Sequence, residues 1–531
     1  MASFSTVYEA IKAPLVLTGN PWTTPVVALV ILTCAYSVSR IVYNLFFHPL
    51  AKFPGPKFAA FSNAPFSYWF NSGRQPYKIL DLHRKYGPVV RVAPNELSFN
   101  SAQSWQDIYN YREDNKVFMK GSFYEGGSFA TRGYTSIVTE PNPKKHHEMR
   151  RLLSHSFSQQ SLSEQESLIA KTIDKLVLDV VGTRGKQQSG FDISRSFAMM
   201  TFDIIGDLSF GETFGCIEND KFHPWIEIIL GALTQLAVFD TFKRFPIAGG
   251  VVALLLFGKI KKLLAETWQN EEMAIDSVNR RIARKTTRKD LMTRVLEKRN
   301  PAEVSDTQLA AHAADIVLAG SDTSSTALAT TTYYLLQNSK TMSRLQHEIR
   351  STFHAYDEIC DKSTVPLPYL KAVILEGLRL VPPLPLGLPR NVWKGGAAIG
   401  GHFVPGGTIV STNPLAATLD PANFTDPMAF KPERWMGQAN GDNLEAAQPF
   451  SVGPRSCLGK TLAWMEMRTT LAKIIWMYDL ELVDSSIDWH RDSEMRTLWH
   501  FPKLMVRATK RAGKDDQNGG DIIAGHYGEL V

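Results

Sequence analysis

A mainly α-helical fold with small β-sheets, preceded by one transmembrane helix near the N-terminus, is what this 531-residue sequence predicts. Three observations carry that expectation. The run from Pro25 to Phe47 is apolar apart from a few polar residues such as Arg40 and Asn44, and about twenty apolar residues span a bilayer. A helical pattern opening at Ser305 and reaching about Asn338 is the longest in the chain, and further helical segments fill residues 160–290. The strand-like runs are short: Val89–Val92, Glu96–Phe99, and Gly-rich stretches around Ile399, Phe403 and Ile409–Val410.

Composition narrows the class. The net charge of +6 suits an acidic protein partner or an anionic membrane surface. No basic run is interleaved with aromatics, so nucleic acid is not indicated. Cys34, Cys216, Cys360 and Cys457 lie far apart without pair spacing, which argues for a reducing compartment and against a disulfide framework or a zinc site.

In chain order, residues 1–47 form an N-terminal segment with a membrane anchor, flanked by Trp22, Tyr43, Phe46 and Phe47 as interfacial side chains. Arg40 can snorkel, and Lys52 and Lys57 after the span place the bulk of the protein in the cytosol. A cleaved signal peptide is disfavoured, because the segment starts late and lacks a basic leader. Residues 48–57 are a proline-stiffened linker. The main domain covers 58–508, and a polar tail that frays occupies 509–531. Pro76–Tyr86 reads as a helix, and a Pro-Asn turn joins alternating strands at 89–92 and 96–99. Residues 118–137 are rich in Gly, Phe and Ser without periodicity, the mark of a functional or mobile loop. Lys144–Phe157 is an amphipathic helix with His146 and Arg150 on one face, which taken alone is a solvated basic face. Ser305 and Gln308 make a capping box for the long helix. In its middle stands Ala319-Gly-Ser-Asp-Thr-Ser324, small enough for something flat to lie against it. Gly320 weakens the turn so that Thr323 can bond backward. Pro368–Arg379 is a helix stopped by Pro382-Pro383, with Glu376 and Arg379 spaced to pair; Pro432-Glu-Arg434-Trp435 follows. Asn423-Phe-Thr425 is a glycosylation sequon that stays bare in a cytosolic domain.

The stretch Phe450-Ser-Val-Gly-Pro-Arg-Ser-Cys457-Leu-Gly459 then precedes an apolar helical run. Gly453 and Gly459 allow close backbone approach to something flat. Cys457 at a helix N-terminus, with Arg455 nearby, favours a thiolate: a nucleophile or a soft metal ligand, the bland alternative being a buried free cysteine.

The pattern Phe-x-x-Gly-x-Arg-x-Cys-x-Gly resembles the haem-binding loop of the cytochrome P-450 superfamily. The proline-rich hinge, Ala-Gly-x-Asp-Thr, Glu-x-x-Arg and the cysteine loop follow one another as in that family, over roughly residues 45–508. The stretches Asn44–Leu50 and Phe53–Pro56 resemble fungal secondary-metabolism members, such as averantin and isotrichodermin hydroxylases.

That resemblance implies a monooxygenase inserting one atom of O2 into a hydrophobic small molecule, with heme b ligated by the Cys457 thiolate. Phe450, Gly459 and Ala319 would lie against the haem. Arg150, Arg390 and Arg455 would pair with its propionates, and His146 stands where the family carries an aromatic residue. Asp322 and Thr323 would be the proton-delivering acid–alcohol pair. Glu376, Arg379 and Arg434 would brace the haem loop. The 118–137 loop and a hairpin at Trp499–Phe501 would contact substrate. Phe222–Phe257 reads equally as substrate roof or as plain core. No flavin or nicotinamide motif is present, so electrons would come from a membrane-bound NADPH-cytochrome P-450 reductase. The anchor would hold the protein in the endoplasmic reticulum membrane with its catalytic domain in the cytosol. A haem-thiolate isomerase, dehydratase or desaturase, and a haem-binding redox sensor without turnover, are the rival readings.

Overall fold

The apolar run near the N-terminus is helical over Thr23–Val42 and enters the body of the protein through a π-helical turn, Tyr43–Phe47. A computed structural model describes residues 23–511 apart from 126–131, 285, 287 and 439–440. Trp22, the centre of the Gly/Phe/Ser-rich loop and the tail from residue 512 lie outside the described residues. Pro25–Phe47 has a mean hydropathy of 1.9, and its most apolar part buries nothing against the rest of the protein.

The proline-rich stretch that follows is more than a spacer. Leu50 and Phe53 are buried in an apolar cluster with Val89, Leu97, Phe99 and Val410. Arg91 donates from Nη1 to Asn44 O at 2.8 Å, and its backbone N–H donates to Pro54 O at 2.8 Å. At Gly55 a Cβ would stand 2.4 Å from Arg91 O, so only glycine lets the two backbones touch. The hinge is stiff because prolines fix φ and because the sheet holds it.

Strands β1 (Val89–Ala93) and β2 (Glu96–Phe99) form an antiparallel hairpin with an irregularity between Arg91 and Ala93. With β3 (Met119–Lys120), β4 (Phe191–Asp192), β5 (Arg390–Asn391), β6 (Ala397–Ile399), β7 (His402–Val404) and β8 (Ile409–Thr412) to place, the main sheet takes the order β1-β2-β8-β5-β3. Every residue of β1 and β2 is buried, so the sequence's alternation does not mark a wet face here. β8 runs parallel to β2 from residues far along the chain, a pairing no local pattern foretells. β9 (Tyr478–Leu482), β10 (Glu494–Arg496), β11 (Leu498–His500) and β12 (Met505–Lys510) complete three small sheets: β4-β12-β9, β6-β7 and β10-β11. β12 pairs with β9 as far as Lys510, so the ordered chain continues past residue 508, where the polar composition had suggested fraying.

The helical body is built around Asp306–Gln337, 32 residues long and hence roughly 50 Å. It packs on the helices Ile193–Phe210 and Phe257–Ala283. Ser305 Oγ accepts from Gln308 N at 3.1 Å. The reciprocal half of the capping box is missing, because the Gln308 amide donates to Thr135 O instead. The basic helix spans Pro143–Ser154 and stops short of Phe157. Phe222–Phe257 satisfies neither reading of it throughout. Trp225 and Ile226 in the helix Pro224–Arg244 belong to the core, whereas the next helix, Pro246–Leu255, leaves Ile247 86 % and Leu254 76 % exposed. Asn423 is buried, donating from Nδ2 to Asn100 O (2.7 Å) and Ala417 O (2.9 Å), which blocks the sequon in the folded chain.

Candidate active site

The cysteine loop owes its shape to two residues with positive φ, Ser451 (55°) and Gly453 (74°). A Cβ at Gly453 would stand 2.2 Å from Tyr109 O. This glycine therefore serves a backbone–backbone approach within the protein, not the flat partner its sequence suggested. Gly459 differs: its open side meets nothing nearer than the Phe157 ring at 4.0 Å. Cys457 N donates to Phe450 O at 2.8 Å, closing the loop. The helix Lys460–Met477 begins three residues on, with Gly459 as its N-cap. Phe450 packs near Trp464, ring centroids 6.3 Å apart.

The Cys457 side chain is open to space yet enclosed by protein on its other sides. Burial pushes its thiol above the ordinary range, while the Gly459 N–H, Arg150 and Lys460 pull it back. The sequence expectation of a thiolate favoured by Arg455 is corrected here. Arg455 instead donates to Glu140 O and Pro141 O, both at 2.8 Å. A partner that favours the sulfur anion, such as a soft metal, would have to offset that burial.

Around this loop the fold gathers basic groups from distant segments. Arg150 donates from Nη1 to Ser456 O at 2.7 Å, fastening the helix Pro143–Ser154 to the residue before Cys457. Arg390 is buried on β5, with Nη1 donating to Tyr124 Oη at 3.1 Å. Lys120 on β3 donates to Ile137 O at 3.2 Å and to Val138 O. His146 is buried, so the solvated basic face expected of this helix does not exist at that position. Burial and then Arg455, Lys120, Arg150 and Arg390 push His146 down to about 3. Burial, then Arg455 and Arg390, push Lys120 down to about 6. The same causes, with Arg390 as the repelling charge, lower Arg455 to about 10. Cations forced together raise one another's energy and favour an anion among them. Glu140 is the buried acid in their midst, held by Asn142 N (2.7 Å) and Thr135 Oγ1 (2.5 Å).

On the long helix, Thr323 Oγ1 donates to Ala319 O at 2.7 Å, the backward bond expected of it. Ala319 is exposed in a helix otherwise largely buried. Gly320 has a different reason from the one the sequence suggested: a Cβ there would lie 3.0 Å from Ile205, so its smallness serves packing on Ile193–Phe210. Asp322 Oδ2 is buried without a hydrogen-bond partner, and burial pushes its carboxyl up to about 7.

The expected brace is formed. Glu376 and Arg379 are completely buried and pair twice, at 2.9 Å each. Arg434 Nε adds a third contact to Glu376 at 3.0 Å, and Trp435 Nε1 and Lys431 N complete the carboxylate's partners at 2.9 Å. Arg379 also donates to Thr418 O, Pro427 O and Ala429 O, and Arg434 pairs with Asp442. Trp499 on β11 is buried and donates to Pro382 O at 2.8 Å.

The sequence reading missed Lys120, Glu140 and Tyr124, which lie in or beside a stretch without periodicity. It also missed Glu466, wholly buried in Lys460–Met477, where burial raises its carboxyl and Ser324 partly offsets that. A lone acid inside Trp464-Met-Glu-Met467 was the available signal.

Among the described residues, no three His, Cys, Asp or Glu side chains stand together as a site for a bare metal ion. One soft sulfur beside a crowd of cations fits a metal that arrives already chelated by a ring bearing carboxylates. Comparison with known proteins agrees. The family model described as cytochrome P450 matches residues 56–507. The cytochrome P450 monooxygenase ORF11 of Penicillium roqueforti is 47 % identical over 83 % of this chain and 91 % of its own length. For the cytochrome P450 monooxygenase BipB of Cochliobolus sativus the identity is 42 %, over 89 % of this chain and 94 % of its own. For aclL of Aspergillus oryzae, also a cytochrome P450 monooxygenase, the values are 38 %, 89 % and 96 %. The chain belongs to the cytochrome P450 family: it is a haem-dependent oxidoreductase of the monooxygenase class, whose iron is bound through a cysteine.

Proposed function

We propose that this protein is a membrane-anchored monooxygenase that inserts one atom of O2 into a hydrophobic small molecule, as a step in fungal secondary metabolism. The observation that carries the reading is the gathering of Arg150, Arg390, Arg455 and Lys120, from segments far apart in sequence, around the loop that bears the Cys457 thiol. Cys457 supplies the thiolate to haem iron. Bound there, haem would supply the oxidising chemistry.

The chain's own groups do the rest. Arg390 and Arg455 would hold the haem carboxylates through charge-assisted bonds, and Lys120, whose ammonium the burial and these arginines disfavour, would recover its proton beside those carboxylates. Arg150 fixes the loop through Ser456 O and lends positive charge to the sulfur. His146 stays neutral and packs behind the cluster. Phe450 and Gly459 shape the sulfur side, and Ala319 leaves room on the long helix. Asp322, holding a proton near neutral pH, and Thr323 pass protons toward the reacting oxygen.

The apolar span Pro25–Phe47 supports an anchor, which on this reading sits in the endoplasmic reticulum membrane with the catalytic domain on the cytosolic side beside a membrane-bound NADPH-cytochrome P-450 reductase. The exposed apolar side chains of Pro246–Leu255, with Phe46 and Phe47 after the anchor, suit contact with that membrane. The test is reconstitution with the reductase, NADPH, isotopically labelled O2 and an extract of a producing fungus. One labelled oxygen atom in a single new product is the expected result. Consumption of a compound with no label in the product would favour an isomerase or dehydratase instead.

A further inference from the structure

Thr330 stands two turns beyond Thr323 on the long helix, hence on the same face and roughly 10 Å further along the axis. Its Oγ1 accepts from Trp489 Nε1 at 3.1 Å, and both residues are buried. From there aromatic rings follow one another in contact. Trp489 stacks on Tyr333, centroids 4.9 Å and planes 19° apart, and Tyr333 meets Tyr334 edge-on at 5.1 Å. On its other side Trp489 stacks on Phe501 at 4.6 Å, and Trp499 links Phe501 (5.6 Å) to Tyr77 (5.8 Å).

Both branches end on His490. Its Nε2 lies 2.9 Å from Tyr334 Oη and its Nδ1 3.2 Å from Tyr77 Oη. Burial pushes His490 down to about 4, so the ring is neutral. A neutral imidazole accepts through one nitrogen and donates through the other, so one of the two phenols donates to it in either tautomer. Tyr77 and His490 are half-buried, whereas Tyr333, Tyr334, Trp489 and Trp499 are buried. The network therefore runs from the long helix to a partly open end.

Packing asks only for rings there, and phenylalanine would serve it at Tyr77 and Tyr334. Two phenols sharing one imidazole offer more. Tryptophan and tyrosine are the side chains that a strong oxidant can strip of an electron without breaking the ring. Such transfer weakens steeply with distance, so it favours rings in contact. A phenol yields its electron readily only when its proton has a base to go to, and His490 is that base. Burial holds the Tyr77 phenol above its ordinary range, so its proton stays until the electron leaves. The Arg74 guanidinium, 3.9 Å over that ring, then favours the proton's departure.

We propose that Trp489, Tyr333, Tyr334, His490 and Tyr77 form a relay that drains oxidising equivalents from the haem site to the surface, making the protein a peroxidase toward small thiols. The proposal rests on haem being held by Cys457. One hydrogen peroxide and two thiols give two waters and one disulfide: the O–O bond breaks and an S–S bond forms. Electrons cross one at a time from thiol to Tyr77 and on toward the haem. Each oxidised tyrosine leaves its proton on His490 and takes it back when the next electron arrives. The two thiol hydrogens end in the waters.

The full-length haem protein in lipid nanodiscs is mixed with hydrogen peroxide, without reductase or substrate, and frozen for electron paramagnetic resonance. Parallel samples containing glutathione are followed by disulfide formed and by loss of the Soret band. The main variant carries Tyr77→Phe and Tyr334→Phe together, each removing one hydroxyl and keeping the ring. Tyr333 cannot replace them, because its hydroxyl donates to Ile487 O, a carbonyl that is no base for the proton. Tyr77→Phe alone closes only the open end, and the exposed Tyr68→Phe is the control. Wild type and control should show a tyrosyl radical that glutathione quenches. The double variant should lose that signal, form several-fold less disulfide and bleach several-fold faster, with its carbon monoxide spectrum unchanged. Tyr77→Phe alone should keep a radical that glutathione no longer quenches. A tyrosyl signal and disulfide yield at wild-type levels in the double variant would overturn the relay. So would a wild type with the thiolate carbon monoxide band but no protein radical. A wild type without that band would instead refute the haem reading, and the relay with it.

Discussion

Burial holds two carboxyls of this protein protonated near neutral pH, Asp322 at about 7 and Glu466 at about 8, and they invite separate tests. Asp322 donates its proton only below its raised value. Product formed per NADPH consumed should therefore be higher at pH 6 than at pH 8, and Asp322→Asn should lower turnover and flatten that dependence. Thr323→Ala removes one small hydroxyl and leaves the helix intact. Haem content and substrate binding should persist while peroxide replaces product; an unchanged product-to-NADPH ratio would refute the relay. For Glu466 the sign follows from linkage. Between its unfolded value near 4.5 and its folded value near 8, the folded chain holds a proton the unfolded chain has lost, so stability falls as pH rises through that window. Glu466→Gln should be more stable than wild type by an amount that grows with pH over that window, reaching a few kcal/mol. Denaturant melts of both proteins across that range measure it, and parallel curves would show that the acid is hydrated and ionised.

At the scale of elements, much of the site was legible because its motifs are local. Glu376 and Arg379 sit one helical turn apart, and Cys457 precedes its own helix. What escaped were contacts made across the chain. Lys120 reaches its place because β3 pairs with β5, and nothing in an aperiodic loop announces a pairing partner so far away. Gly320 and Gly453 were recognised as positions needing a small residue, but the neighbour that requires it is Ile205 in one case and Tyr109 in the other. The brace gives the prediction at this scale. Glu376→Ala leaves the buried Arg379 without a carboxylate partner, at a cost of about 3–5 kcal/mol, while Arg434 keeps Asp442. The expected outcome is protein that accumulates poorly and lacks haem. Haem content per chain and the thermal midpoint are the readouts, and near-normal values for both would remove the brace from the account.

For the whole molecule, the helical class and the apolar span followed from periodicity and length, whereas the sheet order could not, because β2 and β8 join segments some three hundred residues apart. The exposed face of Pro246–Leu255 was invisible for another reason: apolar residues read as core unless the fold shows them left outside. That face bears on localisation. Deleting the residues before His48 should release only part of the protein from membranes, since the second apolar surface remains, and the haem spectrum should survive. Complete release would confine membrane binding to the anchor.

The account as a whole hangs on one sulfur. The direct measurement is the carbon monoxide difference spectrum of the reduced protein, wild type against Cys457→Ala, with Cys216→Ala and Cys360→Ala as controls. Wild type and both controls should show the strongly red-shifted Soret band of thiolate-ligated haem, and Cys457→Ala should lack it. A Cys457→Ala protein that keeps that band would contradict the central claim.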